Sequence, residues 1–434
     1  MNSGQIVRAR VIRLLLPCAV LVSCAPTAPI RRGASPPAAG WRGYAFIDSY
    51  ATSGEVRLFW STTTDPGCID FPCPPPGPEI ARVLLEQSTS GPSTGWQVVS
   101  VRTTGGSDSA TITRLKDASL YWFGVVAFDV AGRQLLASTP IMTMPGAPSV
   151  PSLSVPVEVT GRFTWSPRGD SIAFVDASTL GERSLAIIEI RSLAVTHLVT
   201  YSGDEWIMDA IWEGDGGAIA FTHTPTLMAG GIDYRVWTMA LPGGAVETQT
   251  SGRVDFDPGW GGSGWIYFCR GTYDPPNIPE IWRVRPSQVS SMQAVTADPS
   301  VYKYSLSVRP SDDWVVYQGR PRNAYAVSGL FIVHPGGSPV PLTPADHYTD
   351  SRPCWSPDGQ HVVFVSTRSG HSEVWTVDVR SGALQQLTRG PRGASKLSAC
   401  WSPDGTRLAV LDGREGGWSA RGRLEIYETL TPVP

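Results

Sequence analysis

The chain carries little charge and few histidines. Of its 434 residues 17% are charged, with 35 basic against 38 acidic side chains and a net charge of −3. No basic footprint of the kind that neutralises phosphates is present, which argues against a nucleic-acid binder. The six histidines, His197, His223, His334, His347, His361 and His371, are scattered without an H-E-x-x-H pair. The turn carboxylates, Asp358 and Asp404 among them, follow no EF-hand spacing. No metal or other cofactor is therefore expected. No G-x-S-x-G stands in the strand-to-helix setting of a nucleophile elbow, the string at Gly91–Gly95 lying in a turn-rich stretch between short strands, so hydrolase chemistry of that type has no support. The apolar run from Leu14 to Val22 falls short of the ~20 residues a mature membrane-spanning helix needs.

What the chain has in quantity is 45 glycines, 38 prolines and 16 tryptophans within 41% hydrophobic residues. That composition excludes disorder and belongs to a turn-rich all-β protein. Everything after about residue 155 repeats one unit, clearest over 350–388. Trp355-Ser356-Pro357-Asp358-Gly359 combines an aromatic anchor with a tight turn, in which Pro presets φ, Asp bonds back to its own backbone and Gly supplies positive φ. The same anchor recurs at Trp401 and Trp165, with degraded copies at Trp212, Phe256 and Val308. The anchors are spaced 47, 44, 52, 47 and 46 residues apart, close to the ~40 to 50 of a four-stranded propeller blade. Second strands follow each anchor and third strands carry Trp237, Trp282, Phe331 and Trp375. Closing strands end in Thr200, Thr250, Thr296, Thr343 and Thr388. The last unit lacks a closing strand, and Val157-Glu158-Val159-Thr160, upstream of the first anchor, matches the missing one. Donated to the final blade, it would shut the ring and remove an exposed edge. A six-bladed β-propeller over 155–434 is expected.

The Trp-Ser-Pro-Asp-Gly anchor, the segment Ser366-Thr367-Arg368-Ser369-Gly370 with Glu373-Val374-Trp375, and the terminal Leu387-Thr388 resemble the WD-like repeat of TolB-type propellers. The resemblance covers about 155–434 and implies envelope lipoproteins or peptidoglycan-associated proteins as partners. The small α/β domain that precedes the TolB propeller has no counterpart, so membership of a Tol system is not implied.

The start of the chain has its own organisation. Residues 1–23 read as a signal peptide with Arg8, Arg10 and Arg13 before the apolar run. Leu21-Val22-Ser23-Cys24 resembles the bacterial lipobox, which implies cleavage before Cys24 and acylation of it. Two or more acyl chains would anchor the protein firmly to a membrane, and Ala25 after the cysteine points to the outer membrane. Residues 24–40, rich in proline and alanine, read as an extended tether. Over 41–145 seven short alternating segments predict an immunoglobulin-like sandwich, joined to the propeller by a linker at 146–154. The stretch from Leu115 through Tyr121, Phe123, Val125 and Ala127 to Gly132 resembles fibronectin type III domains. That likeness makes Tyr121 the corner tyrosine and Trp60 the buried tryptophan.

An exported compartment allows a disulfide between Cys68 and Cys73. Cys354 and Cys400, each one residue before an anchor, read as small buried hydrophobes, because neighbouring inner strands fan apart beyond the ~7 Å a bridge tolerates. The loops joining second to third strands and closing strands to the next blade emerge on one face. There Tyr273, Asp274, Arg320, Arg322, Tyr325, His347, Tyr348, Arg352, Trp418 and Arg421 supply the aromatic and arginine content of binding hot spots. The expectation is a monomeric, non-catalytic envelope lipoprotein whose propeller binds a protein, peptide or glycan. The alternative is a propeller lyase or hydrolase acting on polysaccharide or peptide.

Overall fold

The computed structural model describes residues 44–428 except 64–77, 92, 104, 147–148, 204, 225–232, 253, 273–277, 324–326, 346, 391–394 and 415–420. The leader, Cys24, the tether, Cys68, Cys73, Tyr273, Asp274, Tyr325 and Trp418 lie outside these residues. Every regular element among the described residues is a β-strand.

The first eight strands are β1 (Tyr44–Thr52), β2 (Glu55–Thr63), β3 (Arg82–Ser88), β4 (Gln97–Arg102), β5 (Gly106–Thr113), β6 (Tyr121–Phe128), β7 (Gln134–Ala137) and β8 (Ile141–Thr143). They form two antiparallel sheets, β1-β2-β5 and β4-β3-β6-β7, with β8 also on β6. The alternation Val56, Leu58, Trp60 on β2 sends one face inward against Val83, Leu85, Phe123 and Val125, as a half-buried strand of period two requires. The Tyr121 hydroxyl accepts the Lys116 amide at 2.9 Å, tying the entry of β6 to the loop before it.

Strand β9 (Leu153–Trp165) serves two sheets at once. Its first half pairs with the last strand, Arg421–Glu428, and its second half with Ser171–Asp176. Four-stranded antiparallel sheets fill the rest of the ring, each made of strands consecutive in sequence. The innermost strands (β9, Trp206–Trp212, Asp255–Trp260, Val301–Val308, Asp350–Trp355 and Ser395–Trp401) each pack on the next, and the last packs on β9. This domain is a closed β-propeller. Val155, Val157 and Val159 of the donated segment are buried in the same apolar cluster as Leu424 and Ile426 of the final strand, so the closure is packed as well as hydrogen-bonded.

One anchor differs from the sequence reading. In the third unit the position equivalent to Trp165, Trp212, Val308, Trp355 and Trp401 is Trp260, paired with Ile266, rather than Phe256. Phe256 is the residue before the bulge, equivalent to Met208, Tyr304 and Ser351, and with Trp260 in place the anchors fall 47, 48, 48, 47 and 46 residues apart. The closing threonines have a clear job. The hydroxyls of Thr250, Thr296, Thr343 and Thr388 accept third-strand amides of Val236, Ile281, Leu330 and Val374 at 3.2, 2.9, 2.8 and 2.8 Å. Three of them also donate to a carboxylate, the part-buried Glu280 or the buried Asp350 or Glu373. A side chain must both accept and donate there, and Thr does so on a β-branched stem suited to a strand.

The sandwich docks on the fifth blade. Ser49 donates to the Ser369 carbonyl at 2.6 Å, Met144 N–H to the Gln386 side chain at 3.1 Å, and Arg389 Nε to the Met144 carbonyl at 2.7 Å. Met142 is buried in the cluster formed by Val316, Leu330, Phe364 and Trp375. At the centre of the junction His371 bridges Asp48 of the sandwich, at 2.8 Å, and Glu373 of the propeller, at 3.0 Å.

Candidate functional site in the propeller channel

Each inner strand carries a register shift at the same place, and at five of the six the bulged residue turns to positive φ: Gly161, Asp209, Asp257, Ser305 and Arg352, at 72°, 64°, 53°, 52° and 50°. A Cβ on Gly161 would stand 2.9 Å from the Asp209 amide, so only glycine serves there. Asp tolerates the left-handed region through local hydrogen bonds, but an arginine pays for it. Such outliers concentrate where a site demands them.

The bulges aim a charged cluster into the channel. Arg162, 7% exposed, donates to Asp209 Oδ1 through its backbone at 3.0 Å and its Nε at 3.2 Å. Its remaining nitrogens reach the carbonyls of Leu306 and Pro258, and Asp257 lies 3.7 Å away. Asp257 in turn accepts the Ser305 amide at 2.7 Å. Burial pushes the Asp257 carboxyl up, against the pull of Arg162. Burial would lower the Arg162 pKa, but Asp209 and Asp257 outweigh it and raise it. Arg352 enters the same channel from the fifth blade, and burial lowers its pKa although Asp209 and Asp257 oppose the shift.

Beside this cluster, on the side of the first-to-second-strand turns, the channel widens into a cavity of about 600 Å³. Trp165, Trp212, Trp260, Trp355 and Trp401 contribute to its wall, together with Pro258, Pro353 and Pro357, while Arg162 and Arg352 lie at its inner end and Glu213 and Asp215 at its rim. Its size falls in the ~300–1,000 Å³ range of small-ligand sites. The sandwich contacts described above involve the opposite ends of the strands, so they leave this mouth clear.

Cys354 and Cys400 face each other across this wall as a disulfide, with Cα atoms 5.4 Å apart. This corrects the reading of both as unbridged hydrophobes: close to the axis the inner strands converge instead of fanning, and the pair falls inside the bridging distance. Cys269 is buried and free, its thiol raised well above the ordinary value by burial and by Asp257.

The residues chosen from sequence for the opposite face are dispersed. Arg320 stacks on Tyr302 at 4.3 Å and donates to the Tyr304 hydroxyl at 3.2 Å. Arg322 is exposed. Tyr348 is 8% exposed, beneath the guanidinium of Arg368 and beside His347. Arg421 donates to the Ala177 carbonyl at 2.9 Å, at the junction of the last blade with the first. Arg352 departs most from expectation, because it sits on the inner strand and lines the channel instead of a surface loop. Arg162, Asp209, Asp257 and Ser305 were missed. Their signal was present: with Trp260 as the third anchor, residues 209, 257, 305 and 352 all stand three before an anchor. Among the described residues no group of three or more His, Cys, Asp or Glu side chains is placed to hold a metal ion.

The fold and site thus define a β-propeller with a charged channel and an appended β-sandwich. No protein-family model matches the chain, and no curated protein matches it. Solved structures with some likeness include TolB from Acinetobacter baumannii, 15% identical over 90% of this chain and 82% of that one, with a TM-score of 0.38. An oligogalacturonate lyase in complex with manganese is 12% identical over 91% of this chain and 99% of that one, with a TM-score of 0.42. A structure from a study of two prolyl endopeptidases is 14% identical over 63% of this chain and 41% of that one, with a TM-score of 0.41. The propeller assignment rests on the strand pairing itself.

Proposed function

We propose that this protein is an exported envelope lipoprotein, acylated at Cys24, in which a fibronectin type III-like sandwich carries a six-bladed, TolB-like propeller that binds a partner through its channel. The single observation behind the binding reading is the cavity of about 600 Å³ at the channel mouth, with its charged inner end and its position away from the sandwich. The reading moves the site from the loop face chosen in the sequence to the opposite mouth. On the loop face, the fifth-blade segment Arg368–His371 is already engaged by the sandwich. The function is non-catalytic binding of an envelope protein, peptide or glycan.

The test is an in-cell crosslinking pull-down with tagged full-length protein. Gly214→Trp puts a bulky side chain at the cavity rim, where a Cβ meets nothing within 4 Å. The paired control, Arg320→Ala with Arg322→Ala, alters the opposite face. A partner captured by wild type and by the double variant but lost with Gly214→Trp supports channel binding. Loss with the double variant alone returns the site to the loop face.

A further inference from the structure

Among the described residues, Arg352 is a channel cation without a bonded partner. Arg162 spends its guanidinium on Asp209 and on the Leu306 and Pro258 carbonyls. Arg352, half-buried and lining the cavity, makes no hydrogen bond or ion pair with any described residue, and feels Asp209 and Asp257 only across a distance. Both carboxylates are already engaged, by Arg162 and by the Ser305 amide. A guanidinium taken partly out of water without hydrogen bonds is unfavourable, and here it also rests on a backbone φ of 50° that arginine rarely adopts. Asp209 and Asp257 offset part of the burial cost across a distance, but no described residue supplies the guanidinium with a hydrogen bond.

The wall around it has little left to offer a polar ligand. The Thr164 hydroxyl bonds the Ala210 carbonyl at 3.0 Å and the Trp212 amide at 2.8 Å. Ser307 accepts the Trp355 amide at 3.3 Å, and Ser402 is held by Asp404 and the Arg407 amide. Indole and proline surface remains, in which the N–H groups of Trp260, Trp355 and Trp401 are buried and without a hydrogen-bond partner among the described residues. A glycan would meet too few free partners for its hydroxyls. A multiply charged phosphate would be repelled by Asp209 and Asp257 inside and by Glu213 and Asp215 at the rim. A single carboxylate matches the guanidinium fork bidentately.

We infer that the cavity receives the end of an apolar chain terminating in a carboxylate, with Arg352 as the residue that binds the carboxylate. The inference rests on the channel being the binding site, as proposed above. The same chemistry is offered by the C-terminus of an apolar peptide and by a free aliphatic acid.

Immobilised full-length protein is challenged with N-acetylated tetrapeptides of Ala, Val, Leu and Phe bearing free C-termini, with the same pool as C-terminal amides, and with octanoate. Retention is read for wild type, Arg352→Gln and Arg352→Lys, each first checked for an unchanged melting profile. The expected result is at least tenfold stronger retention of free acids than of amides by wild type, abolished by Arg352→Gln and weakened by Arg352→Lys. Retention of the peptide acids without octanoate assigns the source to peptide ends, and octanoate alone assigns it to free acids. Equal retention of acids and amides, or none of either, overturns the inference. If Gly214→Trp still loses a crosslinked partner in that case, channel binding stands and only the carboxylate assignment falls. If it does not, both fall.

Discussion

Raising the pH should loosen the joint between sandwich and propeller, because its central cation is a histidine. His371 lies 2.8 Å from Asp48 and 3.0 Å from Glu373, with the three side chains only 12%, 6% and 1% exposed. Burial alone would lower its pKa, but the hydrogen bonds and charges of the two carboxylates win and push it up from 6.5 to about 10. Glu373 moves the other way: burial would raise its pKa, but His371 more than offsets that and lowers it. A group with a folded pKa above its unfolded one contributes stability that is complete below the unfolded value and lost as pH rises through the folded value. The window here therefore runs from about pH 6.5 up to about 10. At ~1.36 kcal/mol per pK unit the span corresponds to about 5 kcal/mol as an upper bound. Because the shifts of His371 and Glu373 describe one mutual interaction, the energy seen from Glu373 is part of the same sum and is not added. The assay is urea unfolding at several pH values across that window for wild type and His371→Gln. Comparison with the variant cancels the titration of other groups. Wild type should be more stable at the acid end by a few kcal/mol, and the advantage should shrink steadily toward the alkaline end. A difference between the two proteins that does not change with pH would refute the argument.

Other perturbations bear on the ring and its channel. Replacing Cys354 and Cys400 with serine releases a loop closed over a separation of 46 residues, and urea unfolding without reductant should show a loss of up to about 4 kcal/mol on the chain-entropy view. Reductant should reproduce that loss in wild type. Arg162→Met leaves Asp209 and Asp257 without their bonded cation and should cost about 3–5 kcal/mol, read from the shift of the urea midpoint. Thr388→Val removes the acceptor for the Val374 amide and the donor to Glu373, and should cost about 1–3 kcal/mol by the same assay. Deleting residues 155–160 removes the pairing with the final strand, and circular dichroism should show loss of a cooperative transition rather than a modest shift.

The local chemistry was legible in the chain itself. The Ser356 hydroxyl bonds Asp358 at 2.5 Å and takes the His361 amide at 2.9 Å, the tight turn its residues imply, and the turn at Ser402 is built alike. The periodicity of β-strands and the spacing of the anchors are short-range signals, because a turn or an alternation is decided within a few residues. The third anchor shows the limit of that reading. Asp257-Pro258-Gly259 after Phe256 looks like the turn that follows an anchor but lies within the strand, so Phe256 and Trp260 could be told apart only by their cross-strand partners. Likewise β8 is too short to show a pattern, and its pairing with β6 supplies its strand character.

By itself the sequence determined the repeat, the turns that punctuate it and the threonines that end it, since each depends on neighbours in the chain. Only the tertiary structure decided what meets at the axis and at the domain joint. Arg162 and Asp209 are 47 residues apart, and Cys354 and Cys400 are 46 apart; Asp48 and His371 are separated by 323. Ring closure converts a periodic signal into contacts between residues a whole blade apart, and it turns bulge positions, three before the anchor on four of the inner strands, toward one shared channel. The charge of Arg352 could be read from the sequence, but not its lack of a bonded partner among the described residues, which is a property of what is packed around it.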